Sequence, residues 1–140
     1  MLTLAASMTI GAAAAQDGKD CFSQDAHLNV CEKARALQAK IAQLLPIQMK
    51  TNVIFTKVGA VGTRVVITAN WGLSKSEFDA SSHASGMSAR DLASQVESNM
   101  RGSVCSEPIM ATFVRLGGQV QYLYQTKDGH IVLSPIVTGC

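Results

Sequence analysis

The chain has 140 residues, 12 Lys+Arg against 10 Asp+Glu, a net charge of +2, 47% apolar residues and 16% charged ones. That length suits one domain. The near-neutral balance argues against a nucleic-acid partner, which calls for a basic stripe, and the apolar fraction excludes a disordered chain.

Residues Met1 to Ala15 read MLTLAASMTIGAAAA, and every charged side chain lies after Gln16. The run is short for a bilayer-spanning helix, which needs about 20 residues. It fits the apolar region of a signal peptide closed by Ala13-Ala14-Ala15, which would leave residues 16–140 as a single exported domain. The basic region that normally opens such a peptide is missing, as in a leader truncated at its N-terminus. Gly18-Lys19-Asp20 is too polar for a lipobox, so no lipid anchor is expected at Cys21.

Export changes how the four cysteines, Cys21, Cys31, Cys105 and Cys140, are read. An even count in a small exported domain points to disulfides. Three connectivities are open; the favoured one is Cys21–Cys31 with Cys105–Cys140. The first pair would close a short loop at a helix start, and the second would tie a helix entrance to the chain end. No pair has the C-x2-C spacing of a zinc site, so no metal is expected.

From about Ser23 to Leu45 the spacing predicts a helix. Leu28, Cys31, Ala34, Leu37, Ile41 and Leu44 fall on one stripe, and Pro46 ends it. Thr51–Val58 reads as a strand, Gly59 to Gly62 as a turn, and Thr63–Trp71 as the returning strand, with Val65, Ile67, Ala69 and Trp71 on one face. The polar stretch Ser74–Gly86 reads as a loop with a short helical turn around Glu77 and Phe78. Ser88 caps the next helix, with Asp91 three residues on and Leu92, Val96 and Met100 along one side, and Gly102 ends it. Ser106 as N-cap, then Glu107 and Pro108, open a short helix with Ile109, Phe113 and Leu116 along one side, stopped at Gly117-Gly118. Gln119–Thr126 alternates, placing Val120, Tyr122 and Tyr124 on one face. Asp128-Gly129 is a strong hairpin turn, and His130–Val137 returns as an edge strand because of Pro135. The methionines Met49, Met87, Met100 and Met110 read as fillers of core gaps.

The order is α-β-β-α-α-β-β. It implies an α+β domain with a mostly antiparallel, four-stranded sheet of two hairpins and helices on one face. The other face would be partly solvated, as its Gln row and its Arg64-Val66-Thr68 row suggest.

No catalytic constellation stands out. His27, His83 and His130 lack ligand spacing, the serines around His83 lack an orienting group, and the turn glycines open no helix that would cradle phosphate. No cofactor is expected. Trp71, Tyr122 and Tyr124 form a candidate binding face, though half-buried sheet packing explains them as well.

The stretch Cys105-Ser-Glu-Pro-Ile-Met110, then Gly117-Gly118, Val120-Gln-Tyr122-Leu-Tyr124, Lys127-Asp-Gly129 and Cys140, resembles a group of small exported, disulfide-bonded proteobacterial proteins. The group has no characterised activity. The architecture is also similar to that of disulfide-bonded pilotins, which escort secretins to the outer membrane. An exported, disulfide-stapled α+β domain without a convergent polar site reads as a non-enzymatic periplasmic or secreted domain that binds another envelope or secreted protein, and the pilotin similarity implies an accessory role in an envelope or secretion assembly. An inhibitor or immunity protein and an enzyme with a spatially assembled site are the alternatives.

Overall fold

The structure is a computed structural model that describes residues 18–23, 27–50 and 52–140. The expected leader, residues 1–15, lies outside them. A 3-10 turn, Lys19–Cys21, precedes α1, Val30–Leu44. Asn29 caps α1, its Oδ1 accepting the Glu32 N–H at 3.0 Å and satisfying one of the amides that a helix start leaves unpaired. Three strands follow: β1 (Ile47–Lys50), β2 (Val53–Val61) and β3 (Arg64–Trp71). Then come α2 (Lys75–Ala84), α3 (Ala89–Ser106) and α4 (Pro108–Arg115). The chain closes with β4 (Gln119–Gln125), β5 (Ile131–Leu133) and β6 (Ile136–Val137).

The domain is α+β, but the sheet is six-stranded and mixed, with the order β1-β2-β3-β4-β5 and β6 also on β4. Two expectations fail here. β1 is an additional edge strand, antiparallel to β2 through Ile47 opposite Phe55. The two hairpins meet through a parallel pair, β3 and β4, with Val65 opposite Val120, Ile67 opposite Tyr122 and Ala69 opposite Tyr124. The cause is the crossover. α2, α3 and α4 return the chain to the end of the sheet where β3 began, and the Gln119 N–H donates to the Thr63 carbonyl at 2.9 Å. Parallel neighbours require such a long connection.

Alternation then decides burial. Val65, Ile67 and Ala69 of β3 are essentially inaccessible, as is Val120 of β4, while Arg64, Val66, Thr68 and Asn70 point to the other face and stay half-exposed. The core side is covered by α1 on β2 and β3, α4 on β4, and α3 on β6. Val30, Ala34, Leu37 and Ile41 of α1 meet Met100 and Val104 of α3 and Phe113 and Val114 of α4 in that core.

Local departures have local reasons. Gly102 does not stop α3, which runs to Ser106 because Met100 and Val104 keep burying on either side of it. The N-cap of α4 is Glu107 and not Ser106; its Oε2 accepts the Met110 N–H at 2.7 Å. Gly59 lies within β2, and the tight turn is Gly62-Thr63, with Gly62 at φ 58°. The polar stretch after Ser74 forms all of α2, capped by the Ser74 hydroxyl. The returning edge is broken at Ser134-Pro135 into β5 and β6. Of the four methionines, Met100 is buried and Met110 packs on the core, but Met87 is half-exposed outside the core cluster and Met49 is 51% exposed.

Gly118 has a packing role beyond the turn. A Cβ there would lie 2.3 Å from Cζ of Phe113, so only glycine lets that buried ring sit flat on the backbone entering β4.

Candidate functional site

The structure joins Cys21 to Cys31 and Cys105 to Cys140, with Cα–Cα distances of 5.0 and 5.5 Å. The first bond fixes the first turn of α1 to the segment before it. The second ties the last turn of α3 to Cys140, beyond β6.

Trp71, Tyr122 and Tyr124 lie on the core side of the sheet. They belong to a continuous aromatic row. Phe55 meets Tyr122 at 5.3 Å, Tyr122 stacks beside Tyr124 at 6.4 Å, Tyr124 meets Trp71 at 5.3 Å, and Trp71 meets Phe78 at 5.3 Å. Ala69, between Phe55 and Tyr124 in the register, is small enough to let rings from β2 and β4 approach over β3. Tyr122 is buried and Tyr124 half-buried. Burial, and secondarily the neighbouring Tyr124, pushes the Tyr122 phenol up to about 12. Burial also raises Tyr124. Both remain neutral phenols at physiological pH.

The histidines are not brought together. His27, His83 and His130 are exposed on three separate segments. His130 lies 3.9 Å from Asp128 in the β4–β5 turn. That turn is a structural knot. The buried Thr126 hydroxyl donates to Asp128 at 2.6 Å and accepts the His130 N–H at 3.1 Å. Asp128 also accepts the Lys75 N–H at the start of α2 at 2.9 Å. The Thr126 hydroxyl is the main reason the Asp128 carboxyl sits below its ordinary range. Among the described residues, no three His, Cys, Asp or Glu side chains converge as metal ligands would.

The most site-like feature is a trough of about 430 Å³ between α1 and α4, which the sequence pattern hides. Lys33, Ala36, Leu37 and Lys40 form its α1 wall, a spacing that keeps them on one side of a helix. Ile109, Thr112, Phe113 and Leu116 form the α4 wall with the same spacing. Leu37 and Phe113 are buried and make the floor. Ile109 and Leu116, on one side of α4 with Phe113, are 53% and 37% exposed at the rim, and Leu44, on the apolar stripe of α1, is 67% exposed. α4 has only 8 residues and leans on α1 with Phe113 between Ile109 and Leu116, so its outer apolar residues overhang the gap. The legible signal was a lysine pair seven residues apart bracketing Ala36 and Leu37. Lys33 and Lys40 meet no carboxylate among the described residues. The trough is therefore apolar inside and positive along one lip.

The fold has counterparts among solved structures. It is similar to the type II secretion system pilotin AspS of Vibrio cholerae, with a TM-score of 0.58 at 14% identity, covering 79% of this chain and 89% of that one. It is similar to a Pseudomonas aeruginosa protein designated as secreted, with a TM-score of 0.59 at 15% identity, covering 77% and 88%. It is also similar to the pilotin EpsS of the Vibrio vulnificus type 2 secretion system, with a TM-score of 0.52 at 15% identity, covering 78% and 84%. No protein-family model and no curated protein sequence matches the chain. The chain has a pilotin-like fold carrying two disulfides. No helix among the described residues is long and apolar enough to cross a membrane.

Proposed function

We propose that this chain is an exported, non-enzymatic protein-binding domain that serves an envelope or secretion assembly. In this reading it holds an amphipathic helix of its partner in the α1–α4 trough. Residues 1–15 serve as the leader and 16–140 as the working domain. The observation that carries the reading is the trough itself, floored by Leu37 and Phe113 and bordered by the exposed Ile109 and Leu116. An apolar helix stripe fits such a channel, and the Lys33 and Lys40 lip selects a helix with acidic residues on that flank. Similarity to two pilotins supports an envelope partner, and the two disulfides fit an oxidising compartment.

A photo-crosslinker at the exposed Thr112 of the trough in the full chain, activated in intact cells, is expected to capture one envelope protein through an amphipathic segment. Ile109→Asp should lower capture by about tenfold or more, as expected for an apolar anchor. Lys33→Glu with Lys40→Glu should weaken it severalfold and more at low salt. Unchanged capture in all these variants would move the site elsewhere.

A further inference from the structure

Two clefts of about 480 Å³ each open at the two ends of the sheet, one at the β2–β3 turn beside the Cys21–Cys31 bond of α1 and one on the face opposite the helices. They differ in how their polar groups are satisfied. At the β2–β3 turn end, Arg64 donates from Nε and Nη2 to Oε1 of Gln119 at 3.1 and 2.9 Å, and from Nη1 to Gln121 at 3.3 Å. Gln121 in turn donates to the Ser134 carbonyl at 3.3 Å. That network is closed on itself. At the other end, Asn70 Nδ2 donates to the Thr56 hydroxyl at 3.1 Å, which leaves Asn70 Oδ1 and the Thr56 proton available. The side chains of Asn52, Lys57 and Gln125 line the same cleft, and none of them has a hydrogen-bond or ion-pair partner among the described residues. Lys127 at the margin is neutralised by Glu77 at 3.1 Å, so Lys57 is the uncompensated charge there.

The backbone contributes as well. β2 is regular except for a bulge between Phe55 and Lys57, where the register against β3 shifts. A bulge re-aims side chains, and such bulges concentrate beside binding and active sites. Here it sets Thr56 and Lys57 over the cleft next to Ile54, which is 37% exposed.

We propose that this cleft binds an anionic saccharide. Three amides and a hydroxyl supply adjacent donors and acceptors, the pattern that vicinal sugar hydroxyls require. The exposed Ile54 offers an apolar patch for the C–H face of a sugar ring. Lys57 supplies one ammonium for a carboxylate or a phosphate. A bare inorganic anion would use Lys57 alone and leave the amides without a role. The site is on the other side of the sheet from the α1–α4 trough, so the two readings stand or fall separately.

The test is a titration of the isotope-labelled protein, followed through its side-chain amide signals. The probes are a uronic-acid trisaccharide, a sugar phosphate, a neutral trisaccharide of equal size and inorganic phosphate. Millimolar binding of one or both charged sugars is expected, with shifts at Asn52, Asn70 and Gln125. The stronger of the two identifies the anionic group. Lys57→Ala should weaken the charged sugars about fivefold. Gln125→Ala should weaken charged and neutral sugars alike, while Arg64→Ala should change neither. Shifts absent up to about 10 mM, shifts clustered at the Arg64 end, or inorganic phosphate binding as well as the sugars would each overturn the proposal.

Discussion

α1 and α2 both start from a side-chain cap, yet different forces hold them in place. α1 buries Val30, Cys31, Ala34, Leu37 and Ile41, and a disulfide locks its first turn. α2 buries no residue. It is held by one ring contact, Phe78 on Trp71, and by polar ties to the β4–β5 turn: the Lys75 N–H to Asp128, and Glu77 to Lys127. Side-chain burial contributes about 1.5–3 kcal/mol per large residue, whereas an exposed ion pair contributes about 0–1 kcal/mol. α1 is therefore part of the cooperative core, and α2 lies at the low end of the local stability range. Length does not make this difference; the number of apolar side chains turned toward the sheet does.

The largest expected effect concerns the staples. In the loop-entropy picture, the Cys105–Cys140 bond, with a sequence separation of 35, stabilises by about 3.8 kcal/mol, and Cys21–Cys31, with a separation of 10, by about 2.7 kcal/mol. Urea unfolding of the two double-serine variants should show that order, and α1 should stay the better-protected helix in both. Leu37→Ala should cost about 2–4 kcal/mol, measured the same way. Phe78→Ala should cost about 1 kcal/mol and leave the denaturant slope unchanged. Equal costs for these two substitutions would erase the contrast between the helices. Gly118→Ala falls between them at about 1–3 kcal/mol, since Phe113 must move off the backbone. It should also weaken docking in the trough, because Phe113 is its floor.

The smallest effect is local and pH-dependent. The Asp128 carboxyl is lowered first by the Thr126 hydroxyl, and the Glu77 carboxyl first by Lys127 and then by Ser74. A lowered carboxyl stabilises the fold above its ordinary pKa, and that contribution is lost as pH falls through the folded-state value. Hydrogen exchange, corrected for intrinsic rates, should thus show α2 losing protection in acid below the ordinary carboxylate range while α1 keeps it. Asp128→Asn should loosen α2 selectively at neutral pH. Equal loss in both helices would mean that α2 shares the core's cooperativity.

Much of the architecture was legible where local chemistry decides it. The stripe of α1, the alternation of β3 and β4, the Ser88 cap and the Asp128-Gly129 turn are all encoded within a few residues. β1 was not, since four residues after a proline carry too little pattern. The parallel pairing of β3 with β4 was not, because the register between distant strands is set by where the crossover returns the chain. The trough was illegible for a related reason. Ile109, Phe113 and Leu116 share one side of α4, and only the tilt of that short helix against α1 buries the middle residue and exposes the outer two. The amide cleft escaped notice because Asn52, Asn70 and Gln125 lie on three separate segments that only the sheet aligns.

The parallel contact between β3 and β4 also sets the order in which the molecule can assemble. β2 and β3 are joined by a two-residue turn and can zip in about 1–10 μs. β3 finds β4 only after α2, α3 and α4 have all been made and folded back, a closure that raises contact order and slows folding. Until then β3, with Val65, Ile67 and Ala69, is an edge strand with bare backbone donors and acceptors. That half-built sheet is the stage at which the chain is most exposed to pairing with another copy of itself.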